Sequence, residues 1–373
     1  MRKVAIVNQS SGYLTIDIVN SFAERYNEVV LIAGRIGESE RALSSRVKVD
    51  SICPYNRNNT FSRIITWIKG YWQIKRKIKL NYKDYEVVYI TNPPMSYFAA
   101  YHTDNPYSIV VYDIYPDALN NVGIKSSNPI YWFWAKNNII LFARAQKVIT
   151  LSDSMAKVLS KYVSREKITI IPNWSGSDSL APIPKNQNDF AIRLHLANKF
   201  VVMYSGNMGF THSVDVLVDV ADMVKDNEDI HFLFVGEGQK RPIIEKRIKE
   251  LGLRNCSVLG QQPLNVFPLS IACADLGVIT LNEDSAAISV PSKTYNLLAV
   301  GAPLLCICPQ ESELAALIKK YDNGRCFQAS EKERIADFIK LLASDKKYCS
   351  ILSRNSLMAS SDFSYHNAER YIL

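Results

Sequence analysis

Short runs of β-branched and aliphatic residues recur along this chain, with longer stretches of helical apolar spacing between them. In the first half the runs are Lys3–Asn8, Glu28–Ala33, Val47–Cys53, Glu86–Thr91, Ser108–Asp113, Lys147–Leu151 and Ile168–Pro172. In the second half they are Phe200–Ser205, His231–Gly236, Ser257–Gly260, Leu276–Thr280, Leu304–Cys308 and Arg325–Gln328. Their near-continuous Val, Ile and Leu content predicts strands covered on both faces, as in parallel sheets. Alternation of such strands with helices predicts an α/β protein with one doubly wound, Rossmann-like domain in each half. Trp174–Asp189 is rich in Ser, Pro, Asn and Gly, shows no periodicity and reads as the linker. The expected division is 1–185, 186–360, and a C-terminal helix over 361–373 that crosses back to the first domain. Two such domains facing one another would leave a cleft at the carboxyl ends of their strands, where ligands usually bind.

Helical spacing is clear over Phe61–Lys79. At 100° per residue, Phe61, Ile64, Ile65, Ile68 and Trp72 fall on one stripe, the expected core face. Trp67, Tyr71, Ile74 and Ile78 form an adjoining stripe, and Lys75, Arg76, Lys77 and Lys79 crowd the end. Pro129–Trp134 adds aromatics of the kind that favour headgroup depth. No apolar run is long enough to span a bilayer, since Ile130–Ala145 is cut by Lys136, Asn137 and Asn138. The opening MRKVAIV reads as a first strand rather than a signal peptide.

Charge sharpens this picture. The 373 residues carry 44 Lys+Arg and 36 Asp+Glu, a formal net charge of +8. Residues 1–185 hold 24 basic against 14 acidic side chains, and residues 186–373 hold 20 against 22. The positive field therefore belongs to the first half, where a basic, aromatic helix suits an anionic membrane surface. An inter-domain or oligomer surface is the alternative use of that face. Nucleic acid is not expected as a partner, because no reader motif accompanies the charge. The seven cysteines form no CxxC pair and read as core thiols of a reducing compartment.

Several chemistries are excluded by missing patterns. Neither Gly206–Gly209 nor Gly236–Arg241 completes the G-x-G-x-x-G dinucleotide fingerprint, and GxxxxGK[ST] is absent. No Asp-x-Asp pair is present to hold a divalent cation against a diphosphate, and the five histidines are scattered without ligand spacing. What remains are strand–turn–helix junctions suited to phosphate. One runs from Phe200–Ser205 through Gly206–Thr211 into a helix expected over His212–Val224. The other is Pro291-Ser292-Lys293, opening a helix that runs to Ala299 and stops before Gly301. A lysine in a first helical turn opposes the helix dipole, and makes most sense beside a bound anion.

These residues resemble glycosyltransferase family 4. The resemblance is carried by Tyr204-Ser-Gly-Asn-Met-Gly-Phe-Thr-His212, Phe234-Val-Gly-Glu-Gly238, Gly260-Gln-Gln-Pro263 and Pro291-Ser-Lys-Thr-Tyr-Asn-Leu-Leu-Ala-Val-Gly-Ala-Pro303. Val111-Tyr-Asp-Ile-Tyr-Pro-Asp-Ala-Leu119 and Ile170-Ile-Pro-Asn-Trp174 are similar to the branch that builds O-antigen and capsular polysaccharide, of the N-acetyl-L-fucosamine transferase kind. The resemblance implies a GT-B fold and a retaining, metal-independent transfer with no cofactor. It implies a nucleotide sugar, a UDP-sugar first among them, as donor, and a lipid-linked saccharide as acceptor. The expected location is cytoplasmic, peripheral on the cytoplasmic face of the inner membrane.

On the same resemblance, Gly206, Asn207, Gly209, Gly236, Gly238, Ser292 and Asn296 bind the donor. The amides around Gly206–Gly209 and the Lys293 amine stabilise the departing diphosphate. Asp113 activates the acceptor, and Ser10, Ser11 and Gly12 close the site from the first domain. Bland readings remain open: Asp113 as a helix cap, Asn207 as a turn residue, Gly236 and Gly238 as backbone geometry, His212 as a helix-start residue. The chain also departs from the family. Asn207, Thr211 and His212 stand where many members have cations, and Ile288 and Asn296 replace a glutamate pair whose second member holds the donor ribose. Glu283 or Asp284 is a candidate substitute. A UDP-sugar 2-epimerase of the same fold and a non-catalytic nucleotide-sugar-binding protein are the alternative functions.

Overall fold

The computed structural model describes residues 2–37, 41–56, 58–122, 126–176, 179–209, 212–281 and 290–372. It divides into two compact units, Met1–Gly176 with Tyr365–Leu373, and Ser177–Ser364. The break falls at Gly176 rather than 185, because the chain beyond it already packs into the second unit. Leu180 is buried in that unit's core, and Lys185 pairs with Asp275 and bonds the Lys199 carbonyl at 2.5 Å.

The first unit contains strands β1 (Lys3–Val7), β2 (Ser10–Ser11), β3 (Glu28–Ala33), β4 (Arg35–Ile36), β5 (Val47–Ser51), β6 (Glu86–Ile90), β7 (Tyr107–Val110), β8 (Val148–Thr150) and β9 (Ile168–Ile170). Seven of them form a sheet in the order β5-β3-β1-β6-β7-β8-β9, while β2 pairs with β4 alone. Every pairing is parallel. The strand order reverses between β1 and β6, so side chains at the carboxyl ends of those strands border a natural crevice.

Helices α1 (Tyr13–Arg25), α2 (Thr60–Asn81), α3 (Pro129–Arg144) and α4 (Asp153–Leu159) cover this sheet. Helix α1 buries Ile16, Val19, Phe22 and Ala23 at helical spacing and ends at Tyr26, whose N–H bonds the Phe22 carbonyl. The last residues form a 3₁₀ helix, Tyr365–Tyr371, rather than an α-helix, and it belongs to this first unit. There Tyr371 lies 6.2 Å from the Trp174 ring, both rings buried, and Arg370 bonds the Ile170 carbonyl at 2.9 Å.

Helix α2 reverses one expectation. The stripe expected to face the core is exposed: Phe61 at 75%, Ile64 at 45%, Ile65 at 47%, Ile68 at 44% and Trp72 at 58%. Ile74 and Ile78, from the adjoining stripe, are fully buried instead. Gly70 shares their side of the helix and lets it sit close on Gln9, whose side chain would have to shift to admit a Cβ, built 2.8 Å from its Nε2. Gln9 in turn donates to the Thr66 carbonyl at 2.8 Å. Among the described residues, no helix is long and apolar enough to cross a membrane.

The second unit carries β10 (Phe200–Ser205), β11 (Ile230–Val235), β12 (Cys256–Leu259), β13 (Leu276–Thr280), β14 (Leu304–Ile307) and β15 (Gly324–Phe327). Their order, β12-β11-β10-β13-β14-β15, is the doubly wound arrangement with its reversal between β10 and β13. Around them lie α5 (Asp189–Arg193), α6 (Val216–Met223), α7 (Arg241–Glu250), α8 (Phe267–Ile271), α9 (Lys293–Ala299), α10 (Glu313–Tyr321), α11 (Lys332–Ser344) and α12 (Lys346–Ser360). Alternate residues of β10 enter different cores: Val201 and Met203 one, Val202 and Tyr204 the other. That is the two-residue period of a strand covered on both sides.

Candidate active site

In the second unit, the chemistry gathers at the carboxyl ends of β10 and β13. Lys293 opens α9, and its Nζ sits 4.0 Å from the centre of the Tyr204 ring, at the end of β10. The ammonium is buried and makes no hydrogen bond among the described residues. Burial lowers its pKa to about 8, because the charged form has lost water. An ammonium has three donors, so this group is strongly under-satisfied.

Gly206 makes room for it. Its φ is +142°, and a Cβ at this position would lie 2.9 Å from Lys293 Nζ. Gly236 (φ +139°) crosses behind, where a Cβ would fall 2.1 Å from the Gly206 carbonyl oxygen. Gly238 is packed as closely, against the Met208 backbone. These contacts hold the two loops together, since Met208 N–H bonds the Glu237 carbonyl and Lys240 N–H bonds that of Met208, each at 2.8 Å.

Two amides of the expected phosphate cradle are already engaged, Gly206 N–H by the Val235 carbonyl and Met208 N–H by that of Glu237, each at 2.8 Å, while those of Asn207 and Gly209 make no backbone bond among the described residues. The helix expected from His212 begins only at Val216. His212 lies in the preceding turn, its Nδ1 3.3 Å from Thr280 Oγ1 at the end of β13. Burial, followed by the nearby Lys293 charge, lowers its pKa and favours the neutral ring. Asn207 is exposed, and Gly209 has no positive φ to explain it. Ser292 is exposed at the start of α9, and Asn296 lies partly buried one turn along it. Thr211, Glu283, Asp284 and Ile288 lie outside the described residues.

The first unit presents two pockets that share Tyr55. One, of about 320 Å³, is lined by Tyr55, Arg63, Trp67, Asp113 and Tyr115 together with the carboxyl end of β6 at Thr91 and Asn92. Asp113 caps no helix and makes no hydrogen bond among the described residues. It keeps exposed surface, yet the protein packed around it raises its carboxyl above the usual range. The other pocket, of about 680 Å³, is bordered by Ser10, Ser11, Gly12, Arg35 and Asn56. Ser11 is buried and its hydroxyl bonds the Asn8 carbonyl at 3.3 Å, whereas Gly12 is exposed.

Sequence reasoning missed Tyr204, Thr280, Arg63, Trp67 and Tyr115 as site residues. A polar-tipped aromatic ending a buried strand was the available signal for Tyr204. For Arg63 it was a lone cation in register with the inward side of α2. Among the described residues, no group of His, Cys, Asp and Glu could hold a metal ion.

Comparison with known proteins adds to this geometry. The family model "Glycosyltransferase Family 4" matches residues 12–174, and "Glycosyl transferases group 1" matches residues 185–357. WbjE of Pseudomonas aeruginosa, described as a probable glycosyltransferase, is 22% identical over 84% of this chain and 81% of its own length. WcaI of Escherichia coli (strain K12), a candidate colanic acid biosynthesis glycosyl transferase, is 30% identical over 47% of this chain and 43% of its own. The solved structure of Anabaena Alr3699/HepE in complex with UDP and glucose superposes with a TM-score of 0.72 at 16% identity. It covers 100% of this chain and 98% of that one.

Proposed function

We propose, for a chain that belongs to the family 4 glycosyltransferases and has the GT-B fold, that it moves a sugar from a nucleotide sugar to a lipid-linked saccharide in surface-polysaccharide assembly. The observation that carries this reading is the buried ammonium of Lys293, without a hydrogen-bond partner among the described residues, at the strand-order reversal of the second unit. A departing nucleoside diphosphate gains negative charge as the glycosidic bond breaks, and an ammonium already stripped of water stabilises that charge at little reorganisation cost. UDP is the favoured nucleotide, a choice supported by the UDP seen in the HepE structure. Transfer without a metal or other cofactor is supported by the missing Asp-x-Asp pair and the Lys293 charge, and retention by the family resemblance alone.

Asp113 is the residue assigned to acceptor activation. A carboxyl with raised pKa in an aromatic pocket is suited to hold a sugar hydroxyl. Polysaccharide assembly is supported by the colanic acid role in the description of WcaI. The signatures at Val111–Leu119 and Ile170–Trp174 support the branch similar to N-acetyl-L-fucosamine transferases. Binding to an anionic membrane, on its cytoplasmic face, is supported by the exposed stripe of α2. There Phe61, Ile64, Ile65, Ile68 and Trp72 give way along the helix to Lys75, Arg76 and Lys79.

A thermal-shift panel of UDP-, GDP- and dTDP-sugars, with and without EDTA, tests the donor reading. The expected result is stabilisation by one nucleotide class, unchanged by EDTA and lost in Lys293→Ala. Stabilisation that requires a divalent cation, or that survives Lys293→Ala, would overturn it. Product analysis with donor alone separates transfer from epimerisation.

A further inference from the structure

Helix α3 carries a seam of polar contacts that packing alone does not call for. Tyr131, Trp134 and Asn138 stand three and four residues apart, so they share one side of the helix. Asn138 is fully buried in the middle of this largely apolar element. A leucine would fill much the same volume without the cost of burying an amide. Both ends of that amide are engaged. Its Oδ1 accepts from the Tyr97 hydroxyl at 2.7 Å, and its Nδ2 donates to the Tyr115 carbonyl at 2.5 Å. The Tyr97 hydroxyl in turn accepts from Trp134 Nε1 at 2.9 Å. An indole N–H can only donate and a carbonyl can only accept, so the chain runs one way, from Trp134 to Tyr115.

The seam converges on the segment that bears Asp113. Tyr115 is held twice, by its carbonyl at Asn138 and by its ring, which stacks on Trp134 at 5.3 Å and 26°. Two residues on, Asp117 accepts from the Tyr131 hydroxyl at 3.3 Å and the Tyr162 hydroxyl at 2.6 Å, and pairs with Lys161 at 2.9 Å. Residues 111–116 belong to no helix or strand, so no regular backbone fixes the place of Asp113. Its own side chain makes no hydrogen bond among the described residues. It is bracketed instead, by Tyr112 N–H on Thr91 Oγ1 at 3.1 Å and by the Tyr115 carbonyl on Asn138. Asp113 and Tyr115 line the pocket of about 320 Å³, whereas Asn138 and Tyr97 stand behind its wall.

We propose that Asn138 is a positioning residue for acceptor activation: by holding the Tyr115 carbonyl, it fixes where the Asp113 carboxyl stands in the pocket. This rests on the reading of Asp113 as the group that meets the acceptor hydroxyl. A carboxyl on an irregular segment samples several positions, and only one within hydrogen-bond reach of the hydroxyl assists the transfer. Anchoring the peptide two residues on removes much of that freedom while leaving the carboxyl itself open to the acceptor. A fully satisfied buried chain of hydrogen bonds suits this task, because it specifies one arrangement of the elements it joins.

The test compares Asn138→Leu and Tyr97→Phe with wild type in the full-length protein. The first keeps the volume and removes both bonds. The second removes one oxygen and leaves the amide free to turn away, which covers the case in which the first does not fold. Aspartate isotope-labelled at the carboxyl carbon gives a titration curve for Asp113, assigned by its absence from Asp113→Asn. In wild type this carboxyl titrates above the usual range. In both variants it should move down toward that range as the segment loosens, with the circular-dichroism spectrum unchanged. Transfer from UDP-glucose to farnesyl-diphospho-N-acetylglucosamine should lose about tenfold in kcat in Asn138→Leu, and less in Tyr97→Phe. The KM for UDP-glucose should not change. On an Asp113→Asn background, Asn138→Leu should cost little more, as expected of two residues acting through one group. An Asp113 titration that stays in place in both variants, or a kcat loss that repeats in full on Asp113→Asn, overturns the proposal and leaves the role of Asp113 standing. Transfer by Asp113→Asn at the wild-type rate overturns the acceptor reading, and this inference with it.

Discussion

Lys293 is held in a state that costs stability. Its folded pKa of about 8 lies below the ordinary lysine value, so between those values the unfolded chain binds more protons than the folded one. This group's contribution to stability therefore rises with pH from about 8 upward, and its penalty is complete below that. Lys293→Met should raise the melting temperature at pH 7, corresponding to roughly 1–3 kcal/mol, while lowering kcat/KM by about a hundredfold or more. Differential scanning fluorimetry and initial rates measure the two effects on one preparation. Anion binding works in the opposite sense, because a diphosphate favours the ammonium. UDP affinity should fall as pH rises above about 8, and calorimetry in buffers of different ionisation heat should show proton uptake there. Lys293→Met should show neither. This residue was visible in the sequence as a cation in the wrong turn of a helix. What it rests on was not visible: Tyr204 and Gly206 reach it across the sheet end, and no local pattern encodes that contact.

At the scale of elements, the strands were the legible part. Each apolar run appears as a strand, its ends moved by up to three residues, because continuous Val, Ile and Leu are best satisfied by a sheet covered on both faces. Helix α2 was legible in extent and reversed in facing. Two apolar stripes of similar strength left the choice open, and a glycine such as Gly70 counts as neutral in any hydrophobic pattern while letting its helix sit close on the Gln9 side chain. The phosphate loop was legible only in part. The partners of Gly206 N–H and Met208 N–H, Val235 and Glu237, are remote in sequence, so their claim on those two amides could not be read locally. Two predictions belong here. Gly236→Ala should destabilise the second unit by about 3 kcal/mol or more, since it combines a forbidden φ with a backbone collision; urea unfolding followed by tryptophan-independent circular dichroism measures it. Trp72→Ser on the exposed stripe should change the melting temperature little, about 0.5 kcal/mol at most, and still weaken vesicle sedimentation.

For the whole molecule, the GT-B fold follows from two parallel sheets with the same reversal of strand order, and a glycosyltransferase family model matches each half of the chain. The division between units was less legible, because Leu180 and Lys185 lie in a stretch without periodicity yet are fixed by tertiary partners. The return of Tyr365–Tyr371 to the first unit has a measurable effect on stability. Tyr371→Ala should cost the first unit about 3–5 kcal/mol, the usual range for a buried aromatic. Hydrogen exchange should report the loss in α1 and β9, which the tail touches or flanks, and spare the second unit.

That return also sets an order of events at the ribosome. Residues Met1–Gly176 emerge first, but the unit they build is completed only when Tyr365 and its neighbours have been made. At roughly 5–20 residues per second, the intervening segment occupies the ribosome for about 10–40 s. Throughout that interval the nascent first unit lacks the contact of Tyr371 with Trp174, and before its end the later-made unit has all of its own strands. The part of the enzyme translated second is therefore the part whose residues are all made first.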